Sequence, residues 1–283
     1  MALALCTSGV FAQTTPPAAT ELTSKRGATM LPETGDWALG IDASPVLTYV
    51  GSFLGNAANN APTWGYVTGT NLSITGKYFK DEKTAYRVML RLGFGGNTQN
   101  AYSKQDGQAL PDVTVKDSKS VSQRNIILGG GMEMRRGKTR LQGFYGAMLM
   151  FGILGSDTTY AYGNAFSTTN QVPTRTNFGT NQAGATWTKD NAAGSSFMIG
   201  VRGFIGAEYF ILPKLSVGAE FGWGFGFSNQ GDGSRSTEYW DAAKNAVATT
   251  TMKTGGTSSW GIDNDINSGM MMSTGQLMIT MHF

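Results

Sequence analysis

Residues 215–227 read Leu-Ser-Val-Gly-Ala-Glu-Phe-Gly-Trp-Gly-Phe-Gly-Phe. Leu215, Val217, Ala219, Phe221, Trp223, Phe225 and Phe227 take every second position, with Ser216, Gly218, Glu220, Gly222, Gly224 and Gly226 between them. Side chains alternate across the two faces of a β-strand, so this stretch is a strand with one greasy face and one small or polar face. A helix would scatter the same seven apolar groups around its whole circumference.

The same period recurs on either side. Upstream, Phe197, Ile199, Val201, Ile205 and Tyr209 oppose Gly200, Arg202, Gly206 and Glu208; downstream, Leu277, Ile279, Met281 and Phe283 oppose Gln276, Met278, Thr280 and His282. Five earlier segments complete the set. Trp37, Leu39, Ile41 and Ala43 oppose Ala38, Gly40, Asp42 and Ser44. Near 69–80, Leu72, Ile74 and Tyr78 oppose Asn71, Ser73, Thr75 and Lys77. Over 84–95, Tyr86, Val88, Leu90, Leu92 and Phe94 alternate with Ala85, Arg87, Met89, Arg91 and Gly93. Over 122–135, Ile126, Leu128, Met132 and Met134 oppose Gln123, Asn125, Gly129, Gly131 and Glu133, with Ile127 an exception. The segment 139–153 is mixed, since Arg140, Gln142, Gly146 and Gly152 share a face with Phe144, Met148 and Met150.

Connections between these eight segments alternate in length. Residues 81–83, 136–138 and 212–214 are tight turns, whereas 48–67, 96–119, 155–194 and 228–269 are long. An up-and-down barrel then carries every tight turn at one rim and every long loop at the other. The expected fold is therefore all-β: an eight-stranded antiparallel transmembrane β-barrel over 36–283, with short periplasmic turns and long extracellular loops. Composition agrees, with 39 Gly, 15 Phe, 10 Tyr and 6 Trp and only 14% charged residues. Closed sheets and helices alone satisfy every backbone amide in hydrocarbon, and no run after residue 15 has the roughly 20 apolar residues of a membrane helix. The thinly spread net charge of +3 gives no footprint for nucleic acid.

Trp37, Tyr78, Tyr86 and Tyr209 fall near the short-turn ends, with Phe94, Phe151 and Phe225 toward the other, as interfacial aromatics do. Together with the alternation of turns and loops and the closing run Gln276–Phe283, this resembles the small outer-membrane barrels of the OmpA and OmpX type, in the form common in Bacteroidota. Leu277, Ile279, Met281 and Phe283 resemble the signal read by the barrel-assembly machinery, which the resemblance makes a partner during insertion. It also implies contact with outer-membrane lipid and lipopolysaccharide.

With the greasy face toward lipid, Asp42, Lys77, Arg87, Arg91, Glu133, Arg140, Arg202, Glu208 and Glu220 face the interior. Eight strands leave room only for side chains, and buried charges persist when paired. A packed ion-pair core is the simpler expectation; a narrow polar conduit is the other. A lipocalin-like soluble barrel would reverse the faces, but its water-facing side would hold many Lys and Glu, which these faces lack.

Ala2 to Phe11 is an apolar run followed by Ala12, which reads as a signal segment over 1–12, and residues 13–35 read as a flexible periplasmic leader. The one cysteine, Cys6, lies in the apolar run, with bulky Leu5 where a lipidation signal has a small residue. Leu31-Pro32-Glu33-Thr34-Gly35 copies a sortase pentapeptide without the apolar span and basic tail that sorting needs. Gly137-Lys138-Thr139 ends like a phosphate loop, but Met132 stands where that loop needs glycine. Asp263, Asn264, Asp265 and Asn267 invite calcium, yet Ser268 replaces the glycine of an EF-hand loop. No metal and no cofactor is expected. The sole histidine, His282, reads as a solvated barrel residue with no serine nucleophile assigned to it, so no catalysis is expected.

The long loops are rich in Asn, Thr, Ser and Gly and carry Trp64, Tyr66, Trp187, Trp240 and Trp260, with Tyr160, Tyr162 and Tyr239. Such loops suit recognition of an extracellular ligand or a partner outer-membrane protein. Packing on one another as a cap is the equal alternative. The functional expectation is a structural and interaction barrel, in one form an accessory subunit of an outer-membrane complex. The competing class is transport, as a small-solute porin or a barrel passing apolar molecules sideways, toward which the face with Met148 and Met150 points.

Overall fold

The computed structural model describes residues 22–43, 73–108, 113–178, 186–264 and 276–283. The expected signal segment, the leader over 13–21, Trp64, Tyr66, Leu72, Asp265, Asn267 and Ser268 lie outside them.

The described strands are β1 (Trp37–Asp42), β2 (Ile74–Asp81), β3 (Thr84–Lys104), β4 (Thr114–Arg136), β5 (Leu141–Ala161) and β6 (Trp187–Leu212). Then come β7 (Leu215–Gln230), β8 (Gly233–Asp241), β9 (Ala246–Thr254), β10 (Thr257–Asn264) and β11 (Gln276–His282). Antiparallel pairing runs from β1 to β2 and onward, strand by strand, to β7. From β7 it passes to β11 and from β11 back to β1. These eight strands close a ring. Trp37 and Phe283 seal it, each N–H donating to the other's carbonyl at 3.2 and 2.8 Å.

The remaining three strands belong to one long hairpin. β7 and β8 follow one another with a break at 231–232, and β9 and β10 with a break at 255–256. β8 pairs β9 and β10 pairs the upper part of β7, so the hairpin runs from Trp223 to Asn264. Its two breaks stand side by side, and Asp232 accepts the Gly256 N–H at 3.0 Å across them.

Period-two burial follows the sequence pattern closely through the lower wall, as in β1, where exposed and buried positions alternate without a break. Leu39, Ile41, Val88, Leu92, Leu128, Leu149, Phe151, Val201, Phe221, Phe225 and Met281 point outward and are exposed. On β3 this greasy run spans Tyr86 to Phe94. That is about 26 Å of strand, or about 20 Å of height at a barrel tilt of about 40°, close to the apolar band of a membrane barrel. Charges lie on the other face, the reverse of what a lipocalin-like barrel requires.

The long connections are the main departure from expectation. β3 and β4 stay paired up to Lys104 and Thr114, and β5 and β6 up to Thr159 and Asp190. Much of 96–119, 155–194 and 228–269 is therefore sheet. Polar cross-strand bonds continue the ladder there, including Thr98 with Ser120 at 2.9 Å and Asn229 with Ser258 at 2.7 Å.

The tight turns hold as expected in place. Asp81 accepts the Lys83 N–H at 2.8 Å, and Gly137 turns with φ of 121°. Pro213-Lys214 joins β6 to β7, with Lys214 left-handed at φ 59° and its ammonium paired to Asp36. Residues 22–35, expected to belong to a flexible leader, fold against this rim. Met30 is buried there, its N–H donating to the Leu22 carbonyl at 2.9 Å, and Gly35 donates to the Phe79 carbonyl at 2.8 Å.

Candidate functional site

The interior is built in layers, and the lowest is a single ion-pair network. Glu133 on β4 receives Lys77 and Arg135 at 3.0 Å and lies 3.6 Å from Arg87. Glu208 on β6 receives Arg135 at 2.7 Å, with Lys77 at 3.8 Å and the His282 Nε2 at 3.4 Å. Glu220 on β7 receives Arg87 and Arg202. Ser216 donates to Glu208, and Gln142 accepts from Arg135 at 2.9 Å. Carboxylates and cations thus alternate across the lumen from Arg202 to Glu208, where the His282 imidazole ends the series, all nearly inaccessible.

Aromatic rings fill the spaces between charges. Arg87 stands 4.5 Å from the Phe204 ring centre, Lys77 4.9 Å from Phe144 and Arg135 5.3 Å from Phe79. Ring faces attract cations most strongly where water is excluded. Glycines make this filling possible: a Cβ on Gly146 would come 2.6 Å from the Phe204 ring, and one on Gly206 would strike Phe144.

Above the ion-pair network lie buried Met89, Met148, Met150, Met198, Met278 and Ile127, with buried Asp42 directly opposite Met278 and buried Arg91 opposite Ile127 at the same level. Higher still, a cleft of about 260 Å³ at the wall is lined by Gln123, Asn125, Ser156 and Ser196 together with Leu154 and Arg124. The lumen therefore passes from an ion-pair network to a methionine-rich level that still holds Asp42 and Arg91.

Sequence-predicted interior charges sort as follows. Asp42, Lys77, Arg87, Arg91, Glu133, Arg202, Glu208 and Glu220 are buried. Arg140 is not: β4 ends at Arg136 and β5 begins at Leu141, so Arg140 sits exposed in the turn. Arg135, two residues beyond Glu133 on the same face, takes the interior place that sequence reading gave to Arg140. His282, expected to be solvated, is buried between Phe79 and Phe210, at ring separations of 5.5 and 5.2 Å. Leu277 and Met281 face outward on β11 and are exposed, as is Phe283 just beyond it.

A second cluster closes the far end of the long hairpins. The segment 162–178 between β5 and β6 is pinned to β3, β4 and β8. Asp117 accepts the Gly163 and Thr176 N–H groups at 2.8 and 2.6 Å; Asp106 accepts Thr174 N–H at 2.7 Å and the Asn170 amide at 2.8 Å. Arg175 pairs with Glu238 at 2.5 Å and lies 4.6 Å from both Tyr162 and Phe166 and 5.8 Å from Trp187. Burial pushes the Tyr162 phenol up to about 12. Of the aromatics proposed for recognition, Trp187 and Trp240 lie on strands with their indole N–H buried, whereas Trp260 is exposed beside Phe225. Nothing in the sequence flagged Arg175 or Asp117, which gain their meaning only from long-range pairing.

No protein-family model matches the chain, and no curated protein matches it in sequence. Among solved structures the chain is similar to the outer membrane protein OprG from Pseudomonas aeruginosa. The identity is 10%, the match covers 90% of this chain and 98% of that one, and the TM-score is 0.32.

Proposed function

We propose that this chain is an outer-membrane β-barrel with a sealed lumen, acting as a structural and interaction protein through its outer wall and its long-hairpin rim. One observation carries the reading: through its lower wall the closed ring wears its apolar side chains outside and locks its charges within. So many exposed Leu, Ile, Phe and Trp side chains are unfavourable in water and favourable in lipid. The lower ion-pair network and the methionine layer oppose ion passage. Outer-membrane lipid and lipopolysaccharide are the surroundings this reading requires, and the barrel-assembly machinery and a partner outer-membrane protein are its proposed protein contacts. A second reading, entry of small apolar molecules from the upper cleft, is favoured only by the methionines.

The test is a heat-modifiability gel of refolded protein together with current recording in a planar bilayer. A heat-modifiable band with no resolvable current is the expected result. Stable ion-selective steps would sink the sealed-lumen reading in favour of a porin.

A further inference from the structure

Arg124 stands on the outer wall, not in the lumen. It shares its face of β4 with Ile126 and Leu128, and it pairs across to Phe94 on β3 and Gly155 on β5, one step above the pair Leu92 and Ile126. It is thus the first outward charge met on leaving the apolar band along this strand.

The side chain is held flat. A Cβ at Gly155 would come 2.6 Å from the Arg124 Nε, so only glycine leaves room for it along the wall. Nη2 donates to the Ser195 hydroxyl at 2.6 Å, and Nη1 lies 3.5 Å from Asp157 Oδ2. That ion pair is loose, and both side chains stay about two-fifths exposed, at 41% and 40%. A guanidinium has five N–H donors, so these two contacts leave capacity for a third group. A cleft of about 310 Å³ opens over the pair, bordered by Phe94, Ser122 and Gly155.

A cation and an anion side by side set the chemistry of the occupant. Asp157 would repel a simple phosphate, and Arg124 would repel a simple amine. A headgroup with phosphate and primary ammonium joined by a two-carbon link satisfies both, its dipole antiparallel to that of the side chains. We propose that Arg124 and Asp157 bind a phosphoethanolamine headgroup on the outer wall, the guanidinium taking the phosphate and the carboxylate the ammonium. The inference rests on the membrane reading above, because the acyl chains of such a lipid would lie along the greasy band below.

The test is native mass spectrometry of the full chain refolded into vesicles containing equal phosphatidylethanolamine, phosphatidylcholine and phosphatidylglycerol, then extracted gently. The expected result is retention of phosphatidylethanolamine about tenfold over the other two. Arg124→Gln should abolish retention of that lipid. Asp157→Asn should remove the preference over phosphatidylcholine, whose quaternary amine donates no hydrogen bond. Displacement by millimolar free phosphoethanolamine would show that the pocket takes the soluble headgroup as well, and resistance to it would mark a site that needs the lipid; either supports the headgroup assignment. Equal retention of the three lipids, or a preference untouched by both variants, would overturn the site while leaving the barrel intact. Failure of the chain to insert at all would overturn the membrane reading and the site together.

Discussion

The ring of Phe204 occupies the space that a side chain at Gly146 would need: a Cβ there would come 2.6 Å from its Cζ and would also strike the Met132 carbonyl oxygen. Glycine is thus required by close approach of both a ring and a backbone. Gly146→Ala is expected to lower stability by about 1–3 kcal/mol, the usual cost of overpacking. Phe204→Ala, which opens a cavity beside Arg87, should cost about 3–5 kcal/mol. Combining the two should not restore stability, because the Met132 carbonyl remains in the way. Urea unfolding in detergent or vesicles, followed by tryptophan fluorescence, measures all three.

Glu220 holds Arg87 and Arg202 at once. Removing its charge leaves cations facing one another out of water, and Glu220→Gln should cost about 3–5 kcal/mol. The double variant Glu220→Met with Arg202→Met replaces an ion pair with apolar bulk and should recover much of that loss, since burying charges has its own penalty. A double variant no more stable than Glu220→Gln would contradict this account of the network.

Arg135 and Arg140 make a direct comparison. Arg135→Ala should destabilise the barrel by about 3–5 kcal/mol, because Glu133 and Glu208 both lose a buried partner. Arg140→Ala, in an exposed turn, should stay within about 0.5 kcal/mol of wild type. The same urea titration decides between them.

The segment 162–178 should hold its place over a defined range of pH. Burial opposes the charge on Asp106, but its hydrogen bonds from Thr174 and Asn170 prevail and hold its pKa below the ordinary 3.8. A depressed carboxylate stabilises above its unfolded pKa and loses that contribution as pH falls through the folded value. Tyr162, raised from 10.0 to about 12 by burial, works oppositely: its contribution is full below 10 and fades as pH climbs toward 12. Limited proteolysis should therefore leave 162–178 uncut near neutrality and cut it at acid and alkaline extremes. Asp106→Asn should weaken the acid dependence and Tyr162→Phe the alkaline one.

Arg175→Ala should release the same segment at neutral pH, since it removes the pairing with Glu238 and the contacts with Tyr162, Phe166 and Trp187. Faster cleavage within 162–178 and a red shift of tryptophan emission are expected. Lysine at 175 should not rescue, as it lacks the planar guanidinium that stacks on rings.

The wall was legible in sequence wherever one face is apolar and outward and the other a polar or glycine-lined interior, as from Tyr86 to Phe94. It became illegible for two physical reasons. Beyond Gly96 both faces of β3 meet polar surroundings, so Asn97 to Lys104 carry no alternation although they are paired throughout with β4. In the middle of the lumen the opposite happens: Phe144, Met148 and Met150 make the inner face of β5 apolar too, and the contrast vanishes. The interior charges followed from parity alone, but Arg140 shows its limit, since parity says nothing about where a strand stops. Arg135 was within reach of the same rule. The carboxylates that pin 162–178 were not, because Asp117 and Thr176 meet only after two hairpins have stacked.

The reciprocal bonds between Trp37 and Phe283 join the first strand of the ring to the last residue of the chain. A contact of such sequence separation forms late, because a long loop must be closed before it returns any energy. Without β11, β1 has one partner edge and no other, and the hydrophobic girdle has no completed circumference to wrap. Closure of the ring therefore falls to β1 and β11, a clasp whose opening would bare two unpaired strand edges at once.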